Sequence, residues 1–155
     1  MPGVSHARIG APRYSASVHR LLTFARLPSA DRHLAFRAAL WLIAARVVLW
    51  TLPFARVRDL ADRAGTIRSS SANDAPGRIA WAVETTARSI PKATCLTQAL
   101  AAHVMLTRAG EHPELKIGVA TDKGDFEAHA WLELHGRPLV GDHQLDRYAR
   151  LERQT

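Results

Sequence analysis

Three residues of this 155-residue chain are of types that together perform nucleophilic acyl chemistry: Cys95, His129 and Asp142. Cys95 is the only cysteine. It opens a stretch, CLTQALAAHVMLTRAG, that reads as a buried helix starting at Thr94 or Cys95 and closed by Gly110 as a glycine cap. The nucleophilic form of cysteine is the thiolate, and a free thiol is mostly protonated at neutral pH. The first turn of a helix carries partial positive charge, which favours an anion there. A neighbouring imidazole can take the thiol proton. That ring in turn needs a carboxylate or amide to fix its tautomer and orientation. His129, within FEAHAWLELHG, supplies the imidazole, and Asp142 supplies the carboxylate.

A hairpin count brings the last two together. With His135-Gly136 as a two-residue turn, Leu134 faces Arg137, and the numbers of facing residues sum to 271. His129 then faces Asp142, on the same side of the sheet with Cβ atoms about 4.5–5.5 Å apart. A one-residue slip would undo this pairing. Each residue also has a plainer reading. A lone buried cysteine commonly serves as a small hydrophobe, His129 fits a solvent face between Glu127 and Trp131, and Asp142 fits a turn. His103, His112, His135 and His143 read as surface or packing residues. One cysteine excludes an internal disulfide framework. The trio lacks the short paired spacing of a zinc site, so neither metal nor cofactor is expected.

The elements that must hold these residues follow from hydrophobic periodicity. Residues 28–52 are the most apolar segment. Pro28-Ser29-Ala30-Asp31 marks a helix start, with Ser29 or Asp31 as cap, and Pro53 stops the run. Leu34 to Leu52 is long enough to tempt a membrane span. Arg37 and Arg46 would each cost about 2.5–3.5 kcal/mol at the centre of one, which favours a core helix or one covered by a partner. A second helix, Phe54 to Ala64, ends at Gly65. Thr66 to Gly77 is a loop, and Asn73-Asp74-Ala75-Pro76 starts a third helix, Arg78 to Arg88. After Pro113 the period changes. Leu115, Ile117 and Val119 mark a strand, and Thr121 to Asp125 a turn. The next strand puts Phe126, Ala128, Ala130, Leu132 and Leu134 on an apolar face, with Glu127, His129, Trp131, Glu133 and His135 on a polar one. Pro138 to Val140 forms a third strand, and Leu145 to Glu152 a last helical turn. Helices followed by an antiparallel sheet give the α+β class. The chain divides into a basic tail (1–27), a helical segment with a possible docking surface on 34–52 (28–75), and a core carrying the three residues (76–155).

The formal net charge is +7, and the isoelectric point is near 10.7. A nucleic-acid surface gathers basic residues on one face among stacking aromatics. Here the arginines are dispersed and aromatics make up only 6%, so no nucleic-acid partner is expected. An acidic peptide or protein would suit the charge. The first twenty residues lack the apolar core of a signal peptide. With a free thiol, that implies a cytoplasmic protein and not an integral membrane one.

The run ATCLTQALAAHVMLTRAG, then LKIGVAT, then FEAHAWLELHGRPLVGD resembles the leader peptidases of lasso-peptide biosynthesis, a branch of the transglutaminase-like, papain-related cysteine proteases. The match covers roughly Arg78 to Glu152. The resemblance implies a cysteine peptidase that cuts the leader from a ribosomally synthesised precursor peptide. It makes Cys95 the nucleophile, His129 the base and then acid, and Asp142 the orienting carboxylate, with Asp146 the runner-up for that role. The N-terminal half lacks a convincing leader-gripping domain, so the chain resembles the stand-alone protease half of the split B protein. It then depends on a separate small leader-binding protein and works beside an ATP-dependent cyclase. A transglutaminase-like acyltransferase and a non-catalytic adaptor are the competing readings of the same fold.

Overall fold

A computed structural model describes residues 28–67, 74–122, 125–142, 145 and 148–150. The basic tail expected at 1–27 and the alternative carboxylate Asp146 lie outside them, as do residues 68–73 of the 66–77 loop. Four helices precede a four-stranded sheet, confirming the α+β class: α1 (Ser29–Thr51), α2 (Phe54–Thr66), α3 (Pro76–Ala87), α4 (Cys95–Arg108), β1 (Glu114–Asp122), β2 (Asp125–Leu134), β3 (Arg137–Val140) and β4 (Ala149–Arg150). The sheet order is β3-β2-β1-β4, and all three pairings are antiparallel.

Helix α4 is the centre of the molecule. It packs against all three other helices and against β2. Ala101, Ala102, Met105 and Leu106 meet Leu34, Ala38 and Leu42 of α1, Ile79 and Val83 of α3, and Leu132 and Val140 of the sheet in one core. Small alanines at the crossings let the helix axes approach closely, and the larger side chains fill the remaining space. A second cluster joins Val57 and Ala61 of α2 to Leu100 and Val104. Two ion pairs, Arg37–Asp74 at 2.6 Å and Arg78–Asp31, tie α1 to the start of α3. No side chain caps α1; Pro28 precedes it, and Asp31 serves the ion pair instead.

The ends of α4 follow the sequence. Thr94 is the N-cap, its Oγ1 accepting the Thr97 N–H at 3.3 Å. At the other end the Glu111 and Gly110 N–H groups bond back to Leu106 and Thr107 in a Schellman closure. By contrast, Gly65 does not end α2, which runs on to Thr66. A Cβ at Gly65 would lie 2.7 Å from the Thr107 side chain, so this glycine serves the close crossing of α2 over α4.

Three expectations about the sheet need correction. Residues Ala149–Arg150 pair with β1 as a short strand rather than continuing a helical turn. So short a strand exists by virtue of its partner, which local sequence does not carry. The supposed polar face of β2 is buried at its centre, with Trp131 at 1% and Glu133 at 4% exposure, while Glu127 and His135 at either end are exposed. And the β2–β3 register shifts: Leu134↔Arg137 and Glu133↔Pro138 follow the expected count, but Leu132 faces Val140. Leu139 is the extra residue of a bulge. Beyond it the facing numbers sum to 272, and Asp142 moves out of line with His129.

Candidate active site

The connection from α3 to α4 places Cys95. Ser89, Ile90 and Ala93 each bond back three residues through their N–H groups. Lys92 takes a left-handed conformation, φ 60°, which costs a non-glycine residue of order 1 kcal/mol. This tight turn sets Thr94 as cap and Cys95 as the first residue of the 14-residue α4. Gln98 Nε2 donates to the Ala93 carbonyl at 3.2 Å and braces the turn. Cys95 is half-buried. The Thr97 and Gln98 N–H groups are taken by Thr94. The Cys95 N–H belongs to the first turn, whose donors no helical carbonyl reaches.

His129 sits in β2 opposite Gly118 of β1. Its Nε2 lies 2.7 Å from the Gly141 carbonyl. A carbonyl only accepts, so Nε2 carries the proton, and Nδ1 of the neutral ring keeps its lone pair. The Gly141 backbone, beside Asp142 in the chain, thus helps to orient the ring. Gly141 is suited to the task in two ways. Its φ of 75° lies in the left-handed region. A Cβ there would come within 3.0 Å of the Ala130 carbonyl oxygen.

Rings flank the imidazole. Tyr148 stacks on it at 5.0 Å between centroids and 27° between planes, and Trp131 lies 6.3 Å away at 17°. A side chain at Gly118 would collide with both, its Cβ falling 2.9 Å from Trp131 and 2.9 Å from Tyr148. Beyond them Trp131 Nε1 donates to buried Glu133 at 2.9 Å.

The structure therefore brings His129 to the residue beside Asp142, with Asp142 itself exposed. Cys95 occupies the predicted helix start, and among the described residues its sulfur makes no hydrogen bond to His129 or Asp142. Sequence reasoning missed Gly141, Tyr148 and the Trp131–Glu133 pair. Gly118 was the available signal, since a glycine inside a strand marks close approach by something large. Among the described residues no cluster of three or more His, Cys, Asp or Glu could hold a metal ion.

A cysteine at a helix start and a histidine on the following antiparallel sheet, oriented through one ring nitrogen, are the parts of an acyl-transfer centre. No curated protein and no solved structure matches the chain significantly. The family model for the transglutaminase-like superfamily matches residues 39–153, from within α1 to beyond β4. The chain therefore belongs to the transglutaminase-like superfamily, whose members are generally cysteine proteases and acyltransferases.

Proposed function

We propose that this chain is a cysteine peptidase that removes the leader from a lasso-peptide precursor, with Cys95 as nucleophile, His129 as base and then acid, and Asp142 completing the triad. The superfamily supports the reaction class. The likeness of residues 93–110, 115–121 and 126–142 to lasso leader peptidases supports the substrate. The orientation of His129 carries the reading: with Nε2–H given to Gly141, Nδ1 is left as the basic atom.

The steps follow from those groups. His129 Nδ1 takes the Cys95 proton, and the thiolate attacks the carbonyl carbon at the leader–core junction. The oxyanion that forms needs preorganised donors, and the Cys95 N–H is one. Collapse breaks the C–N bond as the imidazolium returns its proton to the departing core amine. The leader is then held as a thioester. Water, deprotonated by His129, hydrolyses it and frees the leader acid and the thiol. Asp142, one residue from the carbonyl that holds the ring, stabilises the imidazolium through its charge. Catalytic hydrogen bonds are often long without substrate and tighten when it binds; the reading requires the Cys95 thiol and His129 Nδ1 to meet when the precursor is in place. A separate leader-binding protein delivers the precursor, a cyclase consumes the freed amine, and the reduced thiol suits the cytoplasm.

Mass spectrometry of precursor incubated with this chain and its leader-binding partner tests the proposal. Free core and leader acid should appear, and Cys95→Ala should abolish both. A labelled primary amine added to the reaction separates hydrolysis from acyl transfer. Stable amine on the leader in place of the acid would make the chain an acyltransferase.

A further inference from the structure

We propose that the outer face of α1 is a dimer interface, filled by the same face of a second copy of this chain. Phe36, Leu40, Ile43, Val47 and Trp50 are between 51% and 85% exposed. They recur at intervals of four, three, four and three residues, which places them in one line along the helix. The opposite side buries Leu34, Ala35, Ala38 and Leu42 in the protein's own core. A helix apolar all round is ordinarily buried all round, and α1 is buried on one side only. A contiguous exposed apolar patch of this kind marks an interaction surface.

Area and spacing select the occupant. With large apolar and aromatic side chains offering up to about 150–250 Å² each, the exposed part of the stripe comes to roughly 500–600 Å² per chain. Two copies would bury up to about 1,000–1,200 Å², at the lower end of the range for a specific interface. A three-and-four spacing is that of a coiled-coil seam, and it fits itself across a two-fold axis. Small residues, Ala39 and Ala44, border the stripe and let a second helix approach. A helix lying on a membrane instead keeps a Lys/Arg-rich face in water beside its apolar one. Here that opposite face is core, and Arg37 is engaged by Asp74. The net charge of +7 opposes self-association at long range, so salt should strengthen the dimer by screening.

The inference does not depend on the reaction proposed above. Light scattering on the eluting full-length chain, across concentration and salt, tests it. The expected result is a species of twice 17.1 kDa, strengthened by salt and reduced to monomer by Ile43→Glu with helix content unchanged. Val47→Glu guards against misfolding of the first variant and should have the same effect. A chain that stays monomeric throughout overturns the proposal. So does a dimer indifferent to both substitutions, or a monomer that floats with phosphatidylglycerol vesicles.

Discussion

The two faces of the C-terminal half of β2, Ala130 to Leu134, are both buried, but by different chemistry. On one, Leu132 joins the aliphatic core of the helical layer. On the other, His129, Trp131 and Glu133 are enclosed by each other, Tyr148, the Gly141 backbone and the bare Cα of Gly118. The first face is non-directional and asks only for volume and apolarity. The second is directional: each polar atom there needs a particular partner. One strand can thus anchor the fold with its even-numbered residues and hold a reactive ring with its odd-numbered ones. Errors on the two faces should have different consequences, stability for the first and ring placement for the second.

Leu132→Ala should give the largest stability loss, about 2–5 kcal/mol for a fully buried leucine, read from urea denaturation. Trp131→Phe keeps most of the volume but withdraws the donor from buried Glu133, and about 1–3 kcal/mol should go by the same measurement. If the two losses came out in the reverse order, the directional face would be the main support of the fold. Gly141→Ala forces an alanine into the left-handed region at about 1–2 kcal/mol. Its larger effect should be on chemistry. Cleavage by folded protein should fall roughly 10–100-fold as the carbonyl that holds His129 shifts. Unchanged cleavage would mean that the carbonyl does not orient the ring. The smallest effect belongs to the outer edge of the same face. A hydrogen bond from Lys116, then its charge, holds the Glu114 carboxyl below its ordinary value. The stabilisation from this exposed pair is present above the usual carboxylate range and disappears as pH falls through the lowered value. Lys116→Gln should return the Glu114 titration to normal by NMR with little change in overall stability.

Much of the site was legible because local rules fix its parts. Thr94 announces the start of α4, and the alanines that follow announce a buried helix. His135-Gly136 forms the tight turn expected, both residues at positive φ. The bulge at Leu139 left no trace in the alternation of β3, so the count that paired His129 with Asp142 failed by one residue. The burial of Glu133 at 4% exposure was hidden because alternation along one strand does not show what packs over it. Periodicity describes one strand at a time and not what lies above it. Helix α1 shows the converse. Its composition reads as a core helix or one covered by a partner, and the fold shows which side is left outward, that of Phe36, Ile43 and Trp50.

The central claim is that Cys95 and His129 act as one unit. Cleavage rates of Cys95→Ala, His129→Ala and the double variant on precursor with its leader-binding partner test it directly. Each single change should cost about 10³-fold or more, and the double should be no worse than either alone. A Cys95→Ala chain that cuts at the wild-type rate would contradict the account.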